Sequence, residues 1–324
     1  NDFACVLMDA KGASLAENSI GIPSFVGLLP RTLAHMLAEI PAEELRPGDV
    51  LITNDPWMAT GHLLDITTVS PIFYRGRLVA FAGATSHMPD IGGVLWSADC
   101  TEVHEEGLRI LPTKFLVEGR ENREVARFIR GNVRVADQVM GDIYAQIAAQ
   151  AVCARRLVEF LEDTGLDDLT ELSDVLQARA DAAMRKAIAA LPDGSWHHVI
   201  KADGYEDQET TIACTVTIAG DTLSVDYTGT SPQIARGLNS VMNYTYAYSV
   251  YPLKCALDPT TPRNEGSYRA VTVTAPEGSI LNPRFPAAVN ARHLTGLFLS
   301  GAIYGCLAQV VPEKVLADSS SPSP

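Results

Sequence analysis

The chain of 324 residues is long enough for two domains, and its formal charge is −14, from 39 acidic and 25 basic residues. An acidic surface repels the phosphates of nucleic acids and the headgroups of anionic lipids, so we expect no nucleic acid and no membrane surface as a partner. No run of 18 or more apolar residues occurs, so the sequence predicts no transmembrane helix.

Six cysteines are scattered along the chain, and none belongs to a CxxC pair. Disulfide frameworks, zinc ribbons and redox dithiols need paired cysteines, so this pattern favours reduced thiols in a cytoplasmic protein. The chain starts at Asn1 without a recognisable signal-peptide pattern and ends in a polar stretch of serine and proline. We therefore expect a piece of a longer cytoplasmic polypeptide.

The order of predicted elements indicates an α+β fold with mixed sheets, hairpins and two long central helices. A strand is predicted at 3–8, a helix at 27–39 and a strand at 50–52. Two β-branched, apolar runs at 66–74 and 78–84 flank Arg75-Gly76 and predict a β-hairpin. Apolar residues at helical spacing predict the long helices at 135–162 and 167–190. The first long helix is predicted to bury a face formed by Val139, Ile143, Ile147, Val152 and Leu157.

The texture of the sequence changes after Gly194. A second hairpin is predicted from runs at 211–218 and 222–227, followed by a helix at 241–256, a strand at 270–275 and a final helix at 294–310. We therefore place a domain boundary between 191 and 192. Region 1–191 would carry the functional site and the helical pair, and region 192–324 would form a second α+β unit.

The strongest chemical signal is a His-x-x-Asp pattern that occurs on both sides of the first predicted hairpin. His62 and Asp65 precede its first strand, and His87 and Asp90 follow its second strand. Because a hairpin returns the chain to its starting point, the two pairs are expected to come close together. Two imidazoles with two carboxylates form a mixed ligand set that suits Mn²⁺, Fe²⁺ or Zn²⁺. The spacing is therefore compatible with a metal site, with Asp55 just upstream as a further carboxylate.

The pattern also has a simpler interpretation. A His-x-x-Asp pair often arises by chance and then serves as a capping or hydrogen-bonded pair. Two copies around one hairpin, in loops that contain Gly61, Gly92 and Gly93, favour a built site, since glycines permit close backbone approach. The same glycines could equally be plain turn residues, so the spacing alone leaves both interpretations open.

Further short segments accompany the two pairs along the chain. They lie at residues 53–56, 61–65, 86–93, 106–110, 141–146, 226–233, 264–266 and 276–283. In order and spacing, these segments resemble the hydantoinase B/oxoprolinase family. The resemblance covers nearly the whole chain, and the linked segments are jointly specific although each alone is weak.

The resemblance implies that this chain works within an ATP-dependent complex. Members of this family include B subunits of hydantoinases and lactamases, 5-oxoprolinase domains, and subunits of acetone- and acetophenone-type carboxylases. In these complexes, ATP is held by a partner A subunit, which phosphorylates the substrate oxygen, and the B-type subunit completes the reaction with a divalent metal. For this chain, the resemblance implies metal ligands at His62, Asp65, His87 and Asp90.

The sequence supports this division of labour independently. It contains no GxxxxGK[ST] loop and no dinucleotide-binding glycine pattern, so an ATP site is expected on a hydantoinase A-like partner chain. A divalent metal in this chain would polarise a carbonyl or carboxyl oxygen, or activate a water molecule.

Other polar residues are weaker candidates for catalysis. Asp55 is a candidate catalytic or neighbouring carboxylate, and Glu102 and His104 follow the second His-x-x-Asp pair. Glu102 and His104 are either a general acid and base near the metal or part of a solvated acidic face. Asp142 and Gln146 lie one helical turn apart and form either an intrahelical pair or a contact to the site.

Three functions agree with these observations. The first is a metal-containing subunit of an ATP-dependent cyclic-amide hydrolase of the hydantoinase or oxoprolinase type, acting on a small-molecule substrate. The second is the corresponding subunit of a ketone carboxylase. The third is a non-catalytic scaffold subunit whose polar pairs are structural. We favour the first because hydrolytic members are the broader class.

Overall fold

The computed structural model describes residues 2–18, 21–206 and 208–316, and its fold is α+β, as the sequence predicts. Among these residues, no helix is both long and apolar enough to cross a bilayer. The strands are β1 (Phe3–Asp9), β2 (Ser14–Glu17), β3 (Val50–Thr53), β4 (Asp65–Tyr74), β5 (Arg77–His87), β6 (Thr113–Val117), β7 (Arg120–Glu121), β8 (Gly194–Tyr205), β9 (Gln208–Ala219), β10 (Thr222–Asp226) and β11 (Val271–Thr274). The helices are α1 (Leu29–Glu39), α2 (Arg123–Asn132), α3 (Ala136–Thr164), α4 (Thr170–Ala189), α5 (Met242–Leu257) and α6 (His293–Leu307).

The chain divides into two compact units, each assembled from separate segments. Unit 1 comprises Asn1–Leu95, Glu106–Gln177 and Pro262–Glu265, and unit 2 comprises Trp96–Glu105, Ala178–Thr261 and Gly266–Pro324. One of the points where the chain passes between the units lies inside α4, between Gln177 and Ala178, upstream of the boundary expected between 191 and 192. The division into domains at 191/192 therefore stays a prediction.

Unit 1 is built on a sheet that, over the described residues, has seven strands in the order β2-β1-β5-β4-β3-β6-β7. Every neighbouring pair in it is antiparallel. The predicted hairpin is confirmed as β4 and β5, which turn at Arg75 and Gly76 with φ of 48° and 77°. Positive φ at both turn positions matches the twist of the two strands.

Different helices cover the two faces of this sheet. On one face, Val69 and Phe81 pack with Leu29 and Leu33 of α1. On the other face, Ile72 and Ala80 pack with Leu157 of α3. Because side chains alternate along a strand, each residue of β4 and β5 faces one helix or the other. We call these the α1 face and the α3 face.

Unit 2 contains a second sheet, in the order β11-β10-β9-β8, with β10 and β11 parallel and the other pairs antiparallel. The predicted hairpin around residues 219–221 is confirmed by the pairing of β9 with β10. Helix α6 packs against α5 and against β8 and β9. Cys306 of α6 donates a hydrogen bond to the carbonyl of Cys214, with 3.4 Å between sulfur and oxygen.

The buried face of α3 differs from the predicted one. Val139, Ile143 and Leu157 are buried, but Val152 is 48% exposed, so its assignment to the buried face is wrong. Instead, the amides of Gln146 and Gln150 point at the sheet and are buried there. The predicted face rests on the periodicity of apolar residues. That periodicity cannot detect a polar side chain that is buried because it hydrogen-bonds to buried groups of the sheet.

Candidate metal centre

The first His-x-x-Asp pair meets His87 at the open end of the β4–β5 hairpin. Strand β4 begins at Asp65 and β5 ends at His87, and these two residues are direct cross-strand partners. Directly opposite residues on antiparallel strands project side chains to the same face. The register of the hairpin therefore places the carboxylate beside the imidazole.

One oxygen atom of Asp65 lies at the centre of the cluster. Its Oδ1 is 2.9 Å from His87 Nδ1 and 2.9 Å from His62 Nε2. The two imidazole ring centroids are 5.1 Å apart. His62 and Asp65 are each 1% exposed, whereas the side chain of His87 is 19% exposed. The cluster is thus buried on the His62 side and open to solvent only at His87.

His62 reaches the cluster from a loop whose backbone is held by Asn54. The Asn54 amide donates to the carbonyls of Leu63 and Leu108, with nitrogen–oxygen distances of 2.7 and 2.9 Å, and its oxygen accepts from the N–H of Ile110 at 2.6 Å. Asn54 is fully buried. The sequence does not predict this role, although the position of Asn54 directly after a strand and before Asp55 is a usable signal.

A row of buried hydroxyl groups separates the cluster from the apolar core. Thr53, Thr67 and Thr85 are paired across β3, β4 and β5, one row inside the Asp65–His87 pair and on its α1 face. Thr67 donates to Thr85, with 3.0 Å between the oxygens, and Thr53 donates to the Ile110 carbonyl at 2.7 Å. All three are fully buried, so this end of the sheet is polar although it is closed to bulk solvent.

Asp90 does not join the three-residue cluster. Its carboxylate accepts hydrogen bonds from the N–H of Gly92 at 3.1 Å, from the N–H of Arg134, and from the Arg134 guanidinium at 2.7 Å. Burial raises the pKa of Asp90, but these hydrogen bonds outweigh it and hold the pKa below the ordinary value of 3.8. The carboxylate that was expected to be a fourth ligand is therefore engaged by an arginine.

Asp55 is also engaged by an arginine. Its Oδ2 accepts from Arg109, with 2.5 Å to Nε, and its Oδ1 accepts from the backbone N–H of Trp57 at 2.9 Å and of Met58 at 3.3 Å. Asp55 is fully buried. These contacts fix the start of the loop that carries His62, and the catalytic role expected for Asp55 stays a prediction.

Glu102 and His104 belong to unit 2, whereas the cluster belongs to unit 1. Both are exposed, Glu102 in an isolated bridge with Ala287 and His104 with its ring edge on Phe285. The acid or base role expected for them stays a prediction. Of the α3 pair, Asp142 is exposed and Gln146 is buried against the hairpin, which agrees with a contact toward the site.

The donor atoms fit a divalent cation. One ligand atom from each of His62, Asp65 and His87 lies within 4.8 Å of the other two. Two imidazoles with one carboxylate suit Mn²⁺, Fe²⁺ or Zn²⁺, since these ions accept mixed nitrogen and oxygen ligands. Donor atoms about 2.9 Å apart are close enough to share an ion that binds each at about 2.0–2.2 Å.

The chain thus combines an α+β fold with a buried cluster of two histidines and one aspartate. The sequence profile described as hydantoinase B/oxoprolinase matches residues 1–324, and the chain belongs to this family.

Individual relatives agree with this assignment. A protein of Pseudomonas sp. (strain NS671), whose name describes it as the B subunit of a D-/L-hydantoinase, is 34% identical over 98% of this chain and 57% of its own length. The caprolactamase beta subunit of Pseudomonas jessenii is 32% identical over 98% of this chain and 55% of its own length. The chain thus spans little more than half the length of these relatives.

Two solved structures share the fold. The ATP-dependent caprolactamase from Pseudomonas jessenii matches with a TM-score of 0.91 and 30% identity, over 97% of this chain and 55% of that chain. A nucleotide-free acetone carboxylase matches with a TM-score of 0.87 and 20% identity, over 98% of this chain and 45% of that chain. At 20% identity, the second match shows a common fold only.

Proposed function

We propose that this chain is the metal-binding part of a subunit of an ATP-dependent enzyme that hydrolyses a small cyclic amide. The observation that carries the proposal is the single Asp65 oxygen 2.9 Å from both His62 Nε2 and His87 Nδ1. The names of the relatives support the substrate class, because hydantoin, caprolactam and 5-oxoproline all contain a ring amide.

The three residues of the cluster would have different roles because they differ in burial. His62 and Asp65 form the closed wall of the site, and half-buried His87 stands at its solvent side, where a substrate can approach. A divalent cation held by these three residues would supply Lewis-acid polarisation of a substrate oxygen, with one positive charge left over after the single carboxylate. The fully buried hydroxyl row behind the cluster closes its inner wall to solvent.

The ATP-dependent step is assigned to a partner. The chain has no phosphate-binding GxxxxGK[ST] loop, and two relatives carry names that describe them as a B subunit and a beta subunit. We infer a hydantoinase A-like partner that binds ATP and phosphorylates the substrate oxygen, which turns a poor amide electrophile into a good one. The complex would act in the cytoplasm.

A ketone carboxylase is the second candidate, since the fold also matches acetone carboxylase. The hydrolase is favoured because two relatives, at 34% and 32% identity, carry hydantoinase and caprolactamase names. Turnover that needs bicarbonate would favour the carboxylase, and turnover that consumes ATP and a lactam without bicarbonate would favour the hydrolase.

Elemental analysis of the intact protein, purified without chelators, tests the proposal directly. We expect about one equivalent of Mn, Fe or Zn in the wild type and none in His62→Ala/His87→Ala. The matched control is His35→Ala/His197→Ala, which removes two exposed histidines outside the cluster and should keep the metal. No metal in the wild type, even after metal is added back, would refute the ligand assignment and favour a scaffold subunit.

A further inference from the structure

A buried glutamine on α3 ties together the two strands that carry the metal cluster. Gln146 Nε2 donates to the Ile66 carbonyl at 3.1 Å and to Ser86 Oγ at 2.7 Å, and its Oε1 accepts from Thr68 Oγ1 at 2.7 Å. Gln146 is 6% exposed. Its single amide group therefore binds β4 and β5 at the same time.

The two strand positions that Gln146 binds are adjacent to the cluster. Ile66 follows Asp65, Ser86 precedes His87, and Ile66 and Ser86 are themselves cross-strand partners. Because side chains alternate, Asp65 and His87 project to the α1 face while Gln146 binds from the α3 face. Gln146 thus contacts the Ile66–Ser86 pair on the α3 face, directly next to the Asp65–His87 pair at the end of the hairpin.

A second glutamine one helical turn further along α3 makes similar bonds away from the cluster. Gln150 Nε2 donates to the Thr68 carbonyl at 2.8 Å and to Thr68 Oγ1 at 2.7 Å, and its Oε1 accepts from Ser70 Oγ at 2.5 Å. It is 2% exposed, like Gln146 a buried amide on the same sheet face. Gln150 differs from Gln146 in that its partners Thr68 and Ser70 both lie on β4, further from Asp65, although the two amides share Thr68 Oγ1.

Stability alone does not explain an amide at position 146. Replacing a satisfied buried polar group and its partners by apolar groups of similar shape is often close to neutral. Hydrogen bonds are directional, so an amide that binds two strands fixes the position of one strand relative to the other. At the strand ends, this constraint acts on the separation of Asp65 and His87.

We propose that Gln146 is a positioning residue for the metal centre, and that it acts through Ile66 and Ser86 to hold Asp65 and His87 at ligand spacing. The inference rests on the proposed metal site. Groups behind metal ligands typically change affinity by 10–100-fold when removed. Since Gln146 acts through the backbone and a neighbouring hydroxyl, we expect the low end, about tenfold.

The experiment compares Gln146→Leu with the matched control Gln150→Leu in the intact protein. Co²⁺ is the probe, its affinity measured by competition with a chromogenic chelator and its coordination by visible absorption. Urea unfolding of both metal-free variants gives the cost to the fold. We expect similar destabilisation in both, but about tenfold weaker Co²⁺ binding and an altered spectrum only in Gln146→Leu.

Ser86→Ala gives a second, milder variant that removes one of the bonds. If Gln146 acts partly through Ser86, the effects of Gln146→Leu and Ser86→Ala on Co²⁺ affinity will be less than additive in the double variant. Equal Co²⁺ binding by Gln146→Leu and Gln150→Leu would overturn the inference while leaving the metal site standing. A wild type that takes up no Co²⁺ would overturn the proposed function and the inference together.

Discussion

Replacing Arg109 by methionine tests whether Asp55 is held as a buried structural anion. The substitution keeps a long apolar stem but removes the guanidinium that binds Asp55 Oδ2. The carboxylate would keep the Trp57 and Met58 N–H donors on its other oxygen. Because Asp55 is fully buried, water cannot replace the lost guanidinium of Arg109.

The expected magnitude follows from burial. Removing one partner of a buried ion pair costs about 3–5 kcal/mol, because the remaining charge stays unpaired. The two surviving N–H donors and the 28% exposure of the Arg109 side chain place this pair at the low end, about 3 kcal/mol. Asp55→Asn should cost less, about 1–2 kcal/mol, because it leaves no buried anion and Arg109 can turn to water.

The double variant Arg109→Met/Asp55→Asn provides the decisive comparison. It should be more stable than Arg109→Met alone, because the second substitution removes the unpaired charge. Urea unfolding of the intact protein, followed by circular dichroism, measures all three free energies of unfolding. A double variant less stable than Arg109→Met, or a cost below about 1 kcal/mol for Arg109→Met, would refute the reasoning.

The same variants also test the catalytic role expected for Asp55 from the sequence. As a structural anchor, Asp55→Asn should lower kcat of the folded, metal-loaded complex by less than about tenfold. A fall of about 100-fold or more would instead support a direct part in proton transfer.

Three further predictions concern pH, backbone conformation and metal. Burial raises the pKa of Asp49, but hydrogen bonds from Lys114 and two backbone N–H groups outweigh it, so its net pKa is lowered below 3.8. Ionised Asp49 therefore stabilises the fold above pH 3.8, and this stabilisation is lost as the pH falls through the lowered pKa of the folded state. The loss of unfolding free energy in Asp49→Asn, measured by urea unfolding, should therefore become smaller toward acid pH. Gly92→Ala should destabilise by about 1–3 kcal/mol more than Gly76→Ala, measured in the same way. Both glycines have φ near 80°, but a Cβ at Gly92 would lie 2.4 Å from a backbone carbonyl oxygen, whereas Gly76 has nothing within 4 Å. Equal costs for the two would contradict the steric argument. In thermal unfolding, a divalent cation at about 100 times its dissociation constant should stabilise the metal-stripped wild type by about 2.7 kcal/mol, and His62→Ala should abolish that gain.

The sequence predicted the hairpin because its signals are local. β-Branched runs on both sides of Arg75-Gly76 specify two strands and their turn, and the turn fixes the register. A β-bulge between Ile72 and Phe73 then shifts this register by one residue, and the shifted register places Asp65 opposite His87 rather than Ser86. The chain therefore predicts that the two pairs lie near each other, but the bulge, which decides which residues are direct partners, has no such local signal.

The polar contacts behind the site could not be predicted in the same way. Gln146 and Gln150 are buried because β4 offers them threonine and serine partners across a helix–sheet contact. Their burial depends on residues about eighty positions away in the chain. Helical periodicity records only which residues are apolar, so it selects Val152. The spacing of Gln146 from Asp142 offers a contact to the site as one alternative, but nothing in the sequence singles out Gln150.

The two His-x-x-Asp pairs show where spacing stops being informative. In the first pair, Asp65 opens a strand, so the sheet fixes its direction and the carboxylate serves both histidines. In the second pair, His87 closes a strand and joins the cluster, but Asp90 lies beyond it in a loop. There its partner is set by tertiary contact with Arg134, which follows α2, a helix that the apolar pattern does not predict. Equal spacing thus leads to different contacts, because the element that carries a side chain decides what it meets as much as its residue type does.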